Sequence, residues 1–104
     1  MDPQKRRTLQ KCTVELVRDM DPEAMKGALF AKQMLTPDEV DRLGLPTMTR
    51  RDKNLFILQK IPSKGMRAFE YFIDCLQNTS EENPVHVELV EQLVRELHYI
   101  QANA

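Results

Sequence analysis

Four of the chain's six prolines directly follow a helix-capping residue: Asp2-Pro3, Asp21-Pro22, Thr36-Pro37 and Asn83-Pro84. A short side chain that accepts from free N–H groups, followed by a residue that needs no N–H, marks a helix start. Thr36 is also followed three residues later by Glu39, the pattern of a capping box. The remaining prolines act as stops, Pro46 beside Gly44 and Pro62 before Gly65. Chain starts of this kind leave little room for strands, and no stretch alternates polar and apolar residues over a strand's length.

Between these marks the apolar residues recur at helical spacing. The pattern predicts six helices, over about 3–20, 22–33, 37–43, 49–61, 66–77 and 84–100. Their inward residues include Leu9, Cys12 and Leu16 on the first, Val40 and Leu43 on the third, and Leu55, Leu58 and Ile61 on the fourth. Phe69, Phe72, Ile73 and Leu76 mark the fifth. Val87, Val90, Val94, Leu97 and Ile100, widened by Leu89 and Leu93, mark the sixth. Leu35, just before the third helix, joins the expected core with Leu16, Leu58, Phe69, Phe72 and Leu76. Phe56, Ile57 and Tyr71 are outward or half-exposed candidates for partner contacts, with a place at the periphery of the core as the favoured alternative. With 104 residues the chain makes one domain spanning 1–104. Short breaks between helices imply antiparallel neighbours in an all-α bundle.

Composition narrows function by exclusion. Fifteen Lys and Arg against 16 Asp and Glu give a net charge of −1, too balanced for bulk attraction to nucleic acid or an anionic membrane. No apolar run reaches membrane-spanning length and the N-terminus lacks the apolar segment of a secretory signal, so an intracellular, cytoplasmic protein is expected. Cys12 and Cys75 have no metal-ligand spacing and fall at apolar helix positions, as small buried hydrophobes do. His86 and His98 lie more than three turns apart on one helix and cannot share a metal; both are read as solvated or half-exposed. The three glycines are isolated, so there is no phosphate-binding loop. No catalytic residue, metal or cofactor is expected.

Charge placement carries more information. Lys5, Arg6, Arg7 and Lys11 crowd the first helix, and Arg50, Arg51 and Lys53 open the fourth. Asp38, Glu39 and Asp41 make the third helix acidic, with Asp21 and Glu23 upstream. Acids in a first turn suit the helix dipole, but Arg50 and Arg51 oppose it at a cost of about 0.3–1 kcal/mol. That suggests a use elsewhere, such as a carboxylate on a partner. A small helix-turn-helix DNA binder, built on the Gly44–Pro46 turn and the Arg-rich helix start, is a second reading. The charge balance and the acidic third helix count against it.

Four stretches together resemble the caspase recruitment domain, or CARD, of the death-domain superfamily. They are Cys12 to Val17 in a basic-headed first helix, Met34-Leu35-Thr36 leading into an acidic third helix, Thr49 to Lys53 opening the fourth, and Ile61-Pro62-Ser63-Lys64-Gly65 with Ala68, Phe69, Phe72 and Leu76. The last is similar to the run found in initiator caspases and their adaptor. The resemblance implies a six-helix antiparallel Greek-key bundle. It implies homotypic binding to another CARD-containing protein, this chain itself included, in apoptotic or inflammatory signalling. That partner would be an initiator caspase, an adaptor or a scaffold; a free-standing inhibitory CARD is the alternative role.

The resemblance also implies a contact between a basic surface on the first and fourth helices and an acidic surface on the second and third. On these surfaces Arg51 with its neighbour Arg50, and Glu39 and Asp41, match family positions. With the charge clusters added, the partner-binding residues expected are Arg6, Lys11, Arg50, Arg51 and Lys53 on one side, and Asp38, Glu39 and Asp41 on the other. The chain departs from the family pattern at Thr13 and Leu55, where basic residues are expected. It departs again at Lys26, Gly27 and Lys32, where acidic members carry carboxylates. These departures shrink the acidic face to the third helix.

Overall fold

The computed structural model describes residues 1–104 and contains helices and turns without strands. Seven α-helices follow in order: α1 (Pro3–Lys11), α2 (Thr13–Asp19), α3 (Pro22–Ala31), α4 (Pro37–Leu43), α5 (Arg50–Lys60), α6 (Ala68–Asn78) and α7 (Val85–Ala102). A 3₁₀ turn over Ile61–Ser63 extends α5.

The expected first helix, 3–20, is split at Cys12, whose φ of −95° and ψ of 6° depart from helical values. No glycine or proline marks the break. The Oγ1 of Thr13 donates to the Leu9 carbonyl at 2.9 Å, and that of Thr8 to the Gln4 carbonyl at 2.8 Å. Such back-bonding to a carbonyl four residues earlier bends helices.

Three of the proline starts act as the sequence suggests. Asp2 accepts from the N–H groups of Gln4 and Lys5, and Asp21 from those of Glu23 and Ala24. Thr36 and Glu39 complete a capping box, and so do Thr49 and Asp52 at the head of α5. Asn83 does not cap α7: its Nδ2 instead reaches back towards the Thr79 carbonyl, and Pro84 takes the cap position. The exit from α3 passes through Gln33 at φ 60°, letting the Met34 N–H donate to the Leu29 carbonyl at 2.8 Å. This turn drops Met34 and Leu35 into the core.

One apolar core joins the helices. It includes Leu16, Leu35, Leu58, Phe69, Phe72 and Leu76, all buried. Of the outward or half-exposed candidates, Ile57 belongs to the core, fully buried beside Leu58, while Phe56 is half-buried under the cations of Arg42 and Lys60. α7 packs against α1, α2 and α6, and α5 against α2 and α3. The inward stripe of α7 is His86, Leu89, Leu93 and Ile100. Val87 and Val94, expected inside, are 47% and 39% exposed. The stripe is rotated because a histidine occupies its first position. No helix is long and apolar enough to cross a membrane.

Candidate interaction surface

The eight charged residues expected to bind a partner divide into two groups once their surroundings are known. Four are engaged within the fold. Arg50 donates from Nη1 to the Arg18 carbonyl at 2.7 Å and from Nη2 to the Met20 carbonyl at 2.9 Å. One turn further along α5, the buried Asn54 donates from Nδ2 to the carbonyls of Val17 and Met20, at 3.0 and 2.9 Å. The two side chains therefore satisfy the last carbonyls of α2, which no intrahelical N–H can reach. Arg50 has the separate use that its position suggests, and it is internal.

Lys53 bonds Glu23 at 2.9 Å, and its hydrogen bond is the main reason that the Glu23 carboxyl sits below its ordinary range. Lys11 lies 3.6 Å from Glu96 and over the Tyr99 ring. Glu39 serves the capping box and accepts from Lys64 at 2.6 Å. Partial burial pushes the Glu39 carboxyl up, but the bonds from Lys64 and the Thr36 N–H outweigh it and hold the carboxyl down.

The other four are Arg6, Arg51, Asp38 and Asp41, exposed and without an ion pair or side-chain hydrogen bond. Arg6 opens a shallow groove of about 230 Å³ between α1–α2 and α5. Arg6, Gln10 and Thr13 form one wall; Leu55, Gln59 and Pro62 form the other. Arg51 lies one turn before Leu55 on the same stripe of α5, so the groove has a cation towards each end. Gln10 and Gln59 are not among the surface residues that charge placement picks out. The spacing of Arg6, Gln10 and Thr13, four and then three residues apart, is the signal that would find such a wall. Asp38 and Asp41, three residues apart, share a face of α4.

His86, expected to be solvated, is fully buried. Its Nε2 accepts from the Asp21 N–H at 3.0 Å, which leaves the proton on Nδ1. Nδ1 stands 2.7 Å from Thr79 Oγ1, whose hydroxyl donates to the Cys75 carbonyl at 2.8 Å. Burial holds the imidazole pKa below its ordinary value, so the ring is a neutral structural link between α3, α6 and α7. Cys12 and Cys75 are free and buried, and no group of three or more His, Cys, Asp or Glu residues is placed to hold a metal ion.

A helical bundle with its buried polar groups spent on internal links, and with Arg6 and Arg51 free on one side and Asp38 and Asp41 on another, has the character of an interaction module. The caspase recruitment domain family model matches residues 6–97, and the chain belongs to this family. The all-α bundle is accordingly a death fold, with α1 and α2 as two segments of its first helix. Caspase-9 of Homo sapiens is 27% identical over 85 residues, covering 79% of this chain and 20% of that protein. The chain thus spans about a fifth of the length of this relative. No solved structure matches.

Proposed function

We propose that this chain binds another caspase recruitment domain and thereby recruits or clusters an initiator caspase, or the adaptor or scaffold that assembles one, in the cytoplasm. The supporting observation is the segregation of the four expected contact residues that stay uncommitted. Arg6 lines the α1–α2/α5 groove and Arg51 lies one turn before its Leu55, while Asp38 and Asp41 stand on α4. A surface with one sign at one site and the opposite sign at another fits a head-to-tail contact, which can propagate because it need not close. The free charges set encounter rate and partner choice; Leu55 and Pro62 supply apolar contact between them.

The test is binding between the purified chain and the recruitment domain of an initiator caspase, followed by fluorescence anisotropy. Arg51→Glu is expected to abolish it while circular dichroism stays unchanged. Undiminished binding by a folded Arg51→Glu chain would overturn the proposal.

A further inference from the structure

The outer face of α7 is not used by the groove or by α4. Glu88, Glu91, Arg95 and His98 are exposed there, and none makes an ion pair or a side-chain hydrogen bond. Their spacing of three, four and three residues aligns them in one seam along the helix. Val87 and Val94 flank that seam, 47% and 39% exposed. The charges are sorted along the axis: both carboxylates lie in the N-terminal half, and both nitrogen bases in the C-terminal half.

This order selects one partner geometry. Two such helices side by side and parallel would oppose like charges. Antiparallel and centred on Leu93, they place Glu91 opposite Arg95 and Glu88 opposite His98, each pair occurring twice. Both pairs share that midpoint, so one register satisfies them together. A neutral histidine still offers an N–H to a carboxylate, so the Glu88 pair does not require a charged ring. The same register brings Val94 close to its own symmetry mate near the two-fold axis. A surface complementary to itself about a two-fold is the mark of an isologous contact.

We infer that the outer face of α7 is a self-association surface, which takes the α7 face of a second copy of this chain in an antiparallel two-fold pair. The contact closes on itself, unlike the head-to-tail contact proposed for recruitment, and does not depend on it. α7 packs on α1, α2 and α6, whereas Arg51 lies on α5.

Sedimentation equilibrium of the purified chain and of its Arg51→Glu variant, over a concentration series at low and high salt, tests this. The expected result is a monomer–dimer equilibrium in both, weakened by salt. Glu91→Arg or Arg95→Glu should each weaken dimerisation by about tenfold or more, since each faces like charges across the axis. The double swap Glu91→Arg/Arg95→Glu should restore it. Circular dichroism checks that each variant remains helical. Strict monomers at every concentration, a dimer indifferent to both single reversals, or a dimer lost with Arg51→Glu would overturn the inference.

Discussion

Arg50 reaches from the first turn of α5 to the last turn of α2, its Nη2 2.9 Å from the carbonyl oxygen of Met20. Its neighbour Arg51 is exposed and makes no ion pair within the chain. Under the proposed function, adjacent arginines divide between the fold and the partner contact. Arg50→Ala should lower stability by about 1–2 kcal/mol, because it frees carbonyls that carry charge-assisted hydrogen bonds. For a chain of this size that is a fall of roughly 4–8 °C in Tm per kcal/mol. Arg51→Ala should leave stability within about 0.5 kcal/mol and weaken partner binding. Thermal melts beside anisotropy titrations measure both, and equal melting losses for the two variants would refute the division.

Two glycines should respond in opposite directions to alanine. Gly65 sits at φ +108°, where side chains are rarely accommodated, although an added Cβ would meet nothing within 4 Å. The cost of Gly65→Ala is then backbone strain alone, about 1–3 kcal/mol. Gly27 lies inside α3 with equally open space around its Cβ position and an ordinary helical backbone. Gly27→Ala should stabilise by about 0.5–1 kcal/mol. Urea midpoints at unchanged slope would register both shifts.

Local chemistry and tertiary contact divide what the amino-acid sequence makes legible. Helix starts are legible because cap chemistry is local: Thr36 and Glu39 act within one turn, as do Thr49 and Asp52. The core is legible where apolar periodicity and burial coincide, as at Phe69, Phe72 and Leu76. Legibility fails where a polar residue takes a core position. His86 and Asn54 are buried because backbone groups distant in sequence, the Asp21 N–H and the α2 carbonyls, meet their side chains. With His86 in the stripe, α7 turns and Val87 and Val94 move outside. The free charges are only partly legible: four of the eight expected are committed internally, and those of α7 lie outside the clusters that charge placement picks out. Which of them have internal partners depends on tertiary neighbours such as Glu23 and Lys64.

Burial also predicts the behaviour of the thiols. Cys12 and Cys75 both have their pKa pushed up to about 11, chiefly by burial. The reactive species is the thiolate, which is then scarce at neutral pH, and the surrounding core blocks access. Neither thiol should react appreciably with an aromatic disulfide reagent in the native chain, and both should react together on unfolding in guanidinium chloride. Rapid labelling of either in the folded state would contradict the packing described.

His86 makes a pH dependence that can be assigned to one residue. Burial, the largest cause, lowers its pKa from the ordinary 6.5; the Asp21 charge raises it and that of Arg50 lowers it. Protonation would place a hydrogen on Nε2 against the Asp21 N–H, so the charged ring loses that bond as well as its hydration. The unfolded chain therefore binds the proton more readily than the folded one. The stability contributed by the neutral ring is complete above the unfolded value and is lost as pH falls through the depressed folded value. The bonded carboxylates Glu23, Glu39 and Glu70 also have lowered pKa values, but they act below their ordinary 4.5. Urea midpoints of the native chain should thus drop between pH of about 6.5 and 5, before the carboxylates contribute. His86→Phe should start lower by about 1–3 kcal/mol, because Thr79 and the Asp21 N–H lose their partner. Its midpoints should then stay flat across the same window. Parallel curves for the native chain and the variant would show that the titrating group lies elsewhere.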